Sequence, residues 1–341
     1  MREPAFWWRE VGIAARLLMP LAAVYGAVAG WRLGQPGVRA GVPVICIGNL
    51  TVGGAGKTPT ALTVARMLAA AGERPTFLTR GYGGARAGPL LVDPTQQRAV
   101  EVGDEPLLLA RVAPTIVARD RVLGARRAVA AGAGVIVMDD GFQNPSLAKD
   151  FSVLVVDARR GLGNGRAIPA GPLRAPLAAQ LMRAHALIVV GAPAPVADLI
   201  AQAHARGIPV FAARLAPDGG FIAALGRGRV LAFAGIGDPE KLFATLAEAG
   251  IAVAATRGFP DHHRYTAAEA QALCDEADRE GLVLVTTEKD LARLAGDERV
   301  AQLAALAHAL PVTLALEDEA RFKALLLERV ARARAVSSAT A

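Results

Sequence analysis

The chain has 341 residues, 53% of them apolar, and its 38 Lys and Arg against 31 Asp and Glu give a formal charge of +7. That apolar share excludes a disordered chain, because it buries enough surface to offset the entropy of ordering, and the length reads as two domains. Cys46 and Cys274, far apart in apolar surroundings, offer neither a disulfide framework nor a zinc site and point to a reducing cytoplasm. Only five of the basic residues are Lys, and the Arg are scattered through an Ala-rich chain. The charge therefore reads as compositional rather than as a nucleic-acid-binding stripe, while its sign suits an anionic membrane surface or a phosphorylated substrate.

The amino-terminal segment stands apart. Phe6, Trp7 and Trp8 precede an uncharged run, 17–31, bounded by Arg16 and Arg32. At about 1.5 Å per residue the run is too short to cross a hydrocarbon core of about 30 Å, and Pro20 would bend a helix built on it. Trp at both ends of the segment suits rings at headgroup depth. A core helix packed on the first domain is the other reading, and the segment alone leaves the two open.

From residue 42 onward, short β-branched runs alternate with Ala/Leu/Arg stretches of helical period. Strands are predicted at 42–47, 76–79, 115–118, 135–138, 152–156, 186–190, 210–213, 230–234, 252–255, 282–286 and 312–316. Helices are predicted at 60–71, 121–131, 194–206, 239–249, 267–280 and 319–331. The alternation predicts an α/β fold, a parallel sheet covered by helices. The most turn-rich stretch after the middle, 217–229, places the domain junction there. The expected organisation is an amphipathic, membrane-associated amino-terminal helix in 1–32, a P-loop nucleotide-binding domain in 33–217 and a smaller α/β domain in 218–341.

The first strand runs into Thr51-Val52-Gly53-Gly54-Ala55-Gly56-Lys57-Thr58 and then a helix. Strand, glycine-rich loop, Lys-Thr and helix are the parts that set backbone N–H groups and a helix N-terminus around a polyphosphate. Lys57 would reach the β- and γ-phosphates and Thr58 would ligate Mg²⁺. Thr51 stands where the general pattern has its first Gly, so the match is to a variant form. The strand 135–138 ends in Asp139-Asp140, where such a site holds its metal through an acidic partner of Thr58. Guanine recognition has little support, since in Thr287-Glu288-Lys289-Asp290 the Lys immediately precedes the Asp, and ATP is the expected nucleotide.

Phosphoryl transfer further needs a base, cations and a substrate cradle. Arg80-Gly81-Tyr82 follows the second strand. Arg119-Asp120-Arg121 follows the third, and an Asp between two Arg is either a salt-bridged structural group or a base whose partners bind phosphate. The loop 159–174, with Arg159, Arg160, Arg166 and Arg174 and no acid, suits an anionic substrate. His262 and His263 form a polar pair beside Asp261.

Taken in order, the loop 49–59, Arg80-Gly81-Tyr82-Gly83, Gly103-Asp104-Glu105-Pro106, Asp120-Arg121, Asp139-Asp140-Gly141-Phe142-Gln143, 169–174, Phe259-Pro260-Asp261-His262-His263 and 286–290 resemble the tetraacyldisaccharide 4'-kinases of lipid A biosynthesis. The resemblance implies a P-loop kinase domain, a smaller α/β/α domain across a cleft and a membrane-associated amino-terminal helix on the cytoplasmic face of the bacterial inner membrane. It implies transfer of the ATP γ-phosphate to the 4'-hydroxyl of a tetraacyldisaccharide 1-phosphate. By motif it makes Asp120 the base, His262 its partner and Arg174 a group near the phosphates, with Lys57, Thr58 and Asp139 or Asp140 handling phosphates and Mg²⁺. The chain has Arg174-Ala175 where many relatives have Arg-Glu. Two other readings are a soluble P-loop kinase with a non-lipid substrate and a membrane-bound nucleotide switch that transfers nothing.

Overall fold

A computed structural model describes residues 3–226 and 228–339; residue 227, in the turn-rich stretch, and the chain's outermost residues lie outside them. The strands in chain order are β1 Val44–Asn49, β2 Pro75–Thr79, β3 Leu90–Leu91, β4 Thr115–Val117, β5 Val135–Asp139, β6 Phe151–Asp157, β7 Ala186–Val190, β8 Val210–Pro217, β9 Arg229–Ala234, β10 Ala252–Gly258, β11 Val283–Thr287, β12 His308–Leu310 and β13 Val312–Leu316. They form a nine-stranded sheet, β13-β8-β7-β6-β1-β5-β2-β4-β3, and a four-stranded sheet, β10-β9-β11-β12. Within the large sheet only the edge strands β3 and β13 run antiparallel.

The central strands are near-continuous apolar runs because both faces of the sheet are covered. In β1, Ile45 and Ile47 face one layer and Val44 and Cys46 the other, the period-two alternation of a pleated strand. The first layer is closed by Ala61, Val64, Ala65 and Leu68 of the helix Lys57–Ala70 and by Phe322, Leu326 and Val330 of the helix Glu319–Ala339. Ala125, Ala128, Leu181 and Leu199 close the second. The small sheet is likewise covered on two faces. Its layer differs from the expected 218–341 unit: β13 pairs with β8 and Glu319–Ala339 seals the large sheet, so the end of the chain returns to the first unit.

β1 lies between β5 and β6, and the register sets Ile47 against Asp139. The chain leaves β1 toward β2 by passing over β5, so a crevice opens at the carboxyl ends of β1 and β5, the usual ligand position in such sheets.

The amino-terminal helix corrects an expectation. It runs Ile13–Gly34 with Pro20 inside it, and its 22 residues are long and apolar enough to cross a membrane by length and composition. It is not amphipathic with its apolar side inward. Its buried residues are the small ones, Ala15, Ala22 and Gly26, while Ile13, Leu17, Leu21, Val24, Val28 and Trp31 are exposed, Leu17 at 76% and Trp31 at 67%. Gly26 gives room for Pro176 against the helix backbone.

Candidate active site

Local chemistry shapes the loop between β1 and the helix Lys57–Ala70. Asn49 Nδ2 donates to the Gly53 carbonyl at 3.0 Å, Thr60 Oγ1 donates to the Gly56 carbonyl at 2.8 Å, and Val52 N donates to the Pro172 carbonyl at 2.9 Å. Gly53 and Gly56 hold φ of 96° and 89°, a region that disfavours side chains. At Gly53 a Cβ would also run into Glu3. Thr51, in the place of a pattern Gly, is bridged to Leu173, so the segment 159–174 braces the loop from outside.

Lys57 Nζ lies 3.7 Å from Asp140 Oδ2. Arg174 forks onto the same carboxylate, Nη1 to Oδ1 at 2.6 Å and Nη2 to Oδ2 at 3.2 Å, and its Nε donates to the Thr51 carbonyl at 3.0 Å. Asp140 would be raised by its burial, but Lys57 and Arg174 hold it down at about 2. Its neighbour behaves oppositely. Asp139 is buried with neither carboxylate oxygen bonded, and burial together with the nearby Glu105 charge pushes it up to about 7. Burial also lowers the Lys57 ammonium against the pull of Asp140. Two adjacent carboxylates thus differ sharply: Asp140 is held ionised by the cations it contacts, whereas Asp139, buried and without a hydrogen-bond partner, is pushed toward its neutral form.

The expected base does not meet its expected partner. Asp120 is exposed and N-caps the helix Arg121–Ala130, its Oδ1 accepting from Val122 N at 2.9 Å and Leu123 N at 3.0 Å. His262 turns instead to Asp104, with Nδ1 3.2 Å from Oδ2. Asp104 begins the helix Asp104–Ala110, is 3% exposed, and also accepts from Arg293 Nε at 2.7 Å. Burial would raise Asp104, yet the His262 hydrogen bond and the Arg293 charge hold it well below the usual carboxylate range. The bond to Asp104 in turn raises His262 above its ordinary value, against the effect of burial. His262 has φ of 55° and its ring lies tilted against Tyr82, with centroids 4.9 Å apart. His263 is occupied elsewhere, 3.0 Å from Glu269 and stacked on Phe259.

Of the basic loop 159–174, only Arg174 is bonded to the acidic pair. Arg159 pairs with Asp238, and Arg160 pairs with Glu3 and covers the Trp8 ring at 3.8 Å. With Trp7 Nε1 on the Pro169 carbonyl at 2.9 Å, this loop fastens the amino-terminal turn to the large unit.

Three cavities surround these groups. One, of about 610 Å³, is lined by Asp139, Asp140 and Arg174, by Arg80, Arg119 and Arg121, and by Tyr25, Val28, Ala29 and Arg32 of the helix Ile13–Gly34, whose Tyr25 hydroxyl donates to the Arg174 carbonyl at 3.2 Å. Arg121 is 3% exposed with Nε unbonded. A second, about 170 Å³ and apolar, lies between the units and is lined by Gly54, Gly56, Thr58, Leu62, Leu215, Leu242 and Leu310. A third, about 290 Å³, reaches Asp104 and His262. Tyr82 lines both the first and the third. The arrangement can hold a nucleotide by loop and apolar slot, an anionic acceptor by arginines, and a proton on the Asp104–His262 pair.

A family model, LpxK, tetraacyldisaccharide-1-P 4'-kinase, matches residues 14–331. A tetraacyldisaccharide 4'-kinase of Rhodopseudomonas palustris strain BisA53 is 56% identical over 335 residues, covering 98% of this chain and 97% of its own. One of Methylobacterium sp. strain 4-46 is 57% identical over 330 residues, covering 96% and 97%. A crystal structure of LpxK from Aquifex aeolicus in complex with ATP superposes with a TM-score of 0.71 at 28% identity, covering 93% of this chain and 99% of that one.

Proposed function

The chain belongs to the tetraacyldisaccharide 4'-kinase family, and from that premise we propose how its own residues carry out the reaction. It is a kinase of lipid A biosynthesis that moves the ATP γ-phosphate to the 4'-hydroxyl of a tetraacyldisaccharide 1-phosphate. The loop 51–58 receives the polyphosphate, with Lys57 on the β- and γ-phosphates and the nucleobase in the apolar slot beside Leu62 and Leu242. Asp139, unbonded and buried, fits a divalent cation, and Asp139, Asp140 and Thr58 are the groups that would hold Mg²⁺. That ion supplies neutralisation of charge on the phosphates. The acceptor hydroxyl gives its proton to the Asp104–His262 pair, in which Asp104 fixes the ring through Nδ1. Arg80, Arg119 and Arg121 offer the acceptor's anionic group a cationic wall.

One observation carries the reading: a single cavity is lined both by Asp139, Asp140 and Arg174 and by the apolar, largely exposed amino-terminal helix. An acceptor with a polar sugar and acyl chains fits a cavity that joins those two kinds of surface. The same helix supports membrane contact, since each exposed large apolar side chain gains about 1.5–3 kcal/mol on leaving water. Purified protein, labelled ATP and the disaccharide 1-phosphate should yield labelled lipid; absence of labelled lipid contradicts the reading. For the membrane clause, Leu17→Glu with Val24→Glu should cut partition onto anionic vesicles by about tenfold or more without lowering the melting temperature. Unchanged partition removes that clause.

A further inference from the structure

The segment Thr287-Glu288-Lys289-Asp290 has no part in the site so far. Thr287 caps the helix Glu288–Leu294 of the small unit through the Asp290 amide, which fixes where that helix starts. Lys289 then points across the unit boundary, its Nζ 2.5 Å from Glu105 Oε1. Lys289 lines the nucleotide slot together with Gly54, Gly56 and Thr58, whereas Glu105 lines the acceptor cavity with Asp139 and Asp140. The pair therefore stands on the wall between the two, where a phosphoryl group must pass.

Other ion pairs tie the units together: Arg293–Asp104, Lys241–Asp157 and Arg159–Asp238. Among the described residues Lys289–Glu105 is the one of these four with a member in each of the two cavities. As a strap it adds little, because desolvating two largely covered charges offsets most of their attraction. As a charge facing the transfer path it adds much more. A lysine has three N–H donors, so holding Glu105 leaves others for a phosphate oxygen.

We propose that Lys289 is a phosphate ligand delivered by the small unit, gripping the transferring γ-phosphoryl group while Glu105 positions it. The inference rests on the loop 51–58 being the nucleotide site. In the step itself the bond from phosphorus to the bridging oxygen breaks with its electron pair left on ADP. The bond to the acceptor oxygen forms, and the hydroxyl proton goes to Asp104–His262. Lys289 changes no bond; it stabilises charge that builds on the phosphoryl oxygens.

The test compares binding of ADP alone with ADP plus aluminium fluoride, a mimic of the transferring group. Lys289→Met should lower kcat about 100-fold and abolish the extra affinity that fluoride confers, with ADP affinity within about threefold of the parent. Retained fluoride enhancement, or kcat within about threefold, overturns the proposal. If Lys289→Met does not fold, Lys289→Gln takes its place on the same criteria. Glu105→Gln keeps the lysine but unpins it and should lower kcat about tenfold at unchanged ADP affinity; unchanged kcat removes the positioning role. Lys57→Ala separates the two levels: if ADP affinity survives in that variant, the loop reading fails first.

Discussion

Two turns of the large unit put an aspartate at the start of a helix with arginine close by, and they end in different chemistry. At 119–121 everything is local: Asp120 caps its own helix through two backbone amides and faces solvent. At 103–105 the partners come from far along the chain: Asp104 is buried against His262 and Arg293, both from the small unit. Neighbours in sequence can satisfy a carboxylate, but holding an imidazole over a cavity takes a second unit. A base is therefore recognised by what crosses to it, while flanking arginines are also consistent with an ordinary cap.

That contrast can be broken or sharpened by substitution. The largest effect should come from Asp104→Asn or His262→Gln, each lowering kcat by about 10²–10⁴ in a steady-state lipid-phosphorylation assay while ATP still binds. If both variants turn over like the parent, the pair is only an inter-unit tie. Asp120→Ala should show the opposite profile, with turnover within about threefold and a loss of about 1 kcal/mol in a denaturant melt, the cost of a missing cap. Loss of turnover at intact stability would return Asp120 to the site.

A smaller effect lies in the pH dependence. The Asp104 hydrogen bond holds His262 above its ordinary value, and only the unprotonated pair can take up the hydroxyl proton. Activity should therefore fall as pH drops through a midpoint above about 6.5. Stability moves the other way: a raised folded value favours the protonated ring, so its contribution is full below the unfolded value and fades as pH rises through the folded one. Asp104→Asn should slide the activity midpoint to lower pH, measured on residual turnover, and Asp120→Ala should leave it in place. A midpoint unmoved by Asp104→Asn detaches His262 from it.

Much of this was legible in the sequence, for local reasons. Strand, loop, Lys57-Thr58 and helix are contiguous, so the loop motif is readable locally, whereas its brace at Pro172 and Leu173 and the slot residues Leu215, Leu242 and Leu310 are not; Asp139-Asp140 follows a strand that reads as buried. The helix Asp104–Ala110 was not read as an element, because seven residues with Pro106 in the first turn carry too short a period. Its aspartate gains meaning only from residues 158 and 189 positions away, as the numbers of His262 and Arg293 give. In Thr287-Glu288-Lys289-Asp290 the sequence offers only a failed guanine pattern and a family motif; the contact of Lys289 with Glu105 lies across the boundary, 184 positions away. The uncharged run 17–31 reads as too short to span because Arg16 and Arg32 bound it, yet the helix continues past both, from Ile13 to Gly34. The return of β13 to the large sheet is a pairing choice that spacing alone does not encode.

The central claim is that the acceptor proton is handled across the unit boundary, at Asp104 and His262. Its most direct measurement is the single-turnover rate of γ-phosphate transfer to the tetraacyldisaccharide 1-phosphate at saturating ATP, with Asp104→Asn and Asp120→Ala side by side. The account requires the first to fall by about 100-fold or more and the second to stay within about threefold of the parent. The reverse ranking would contradict it.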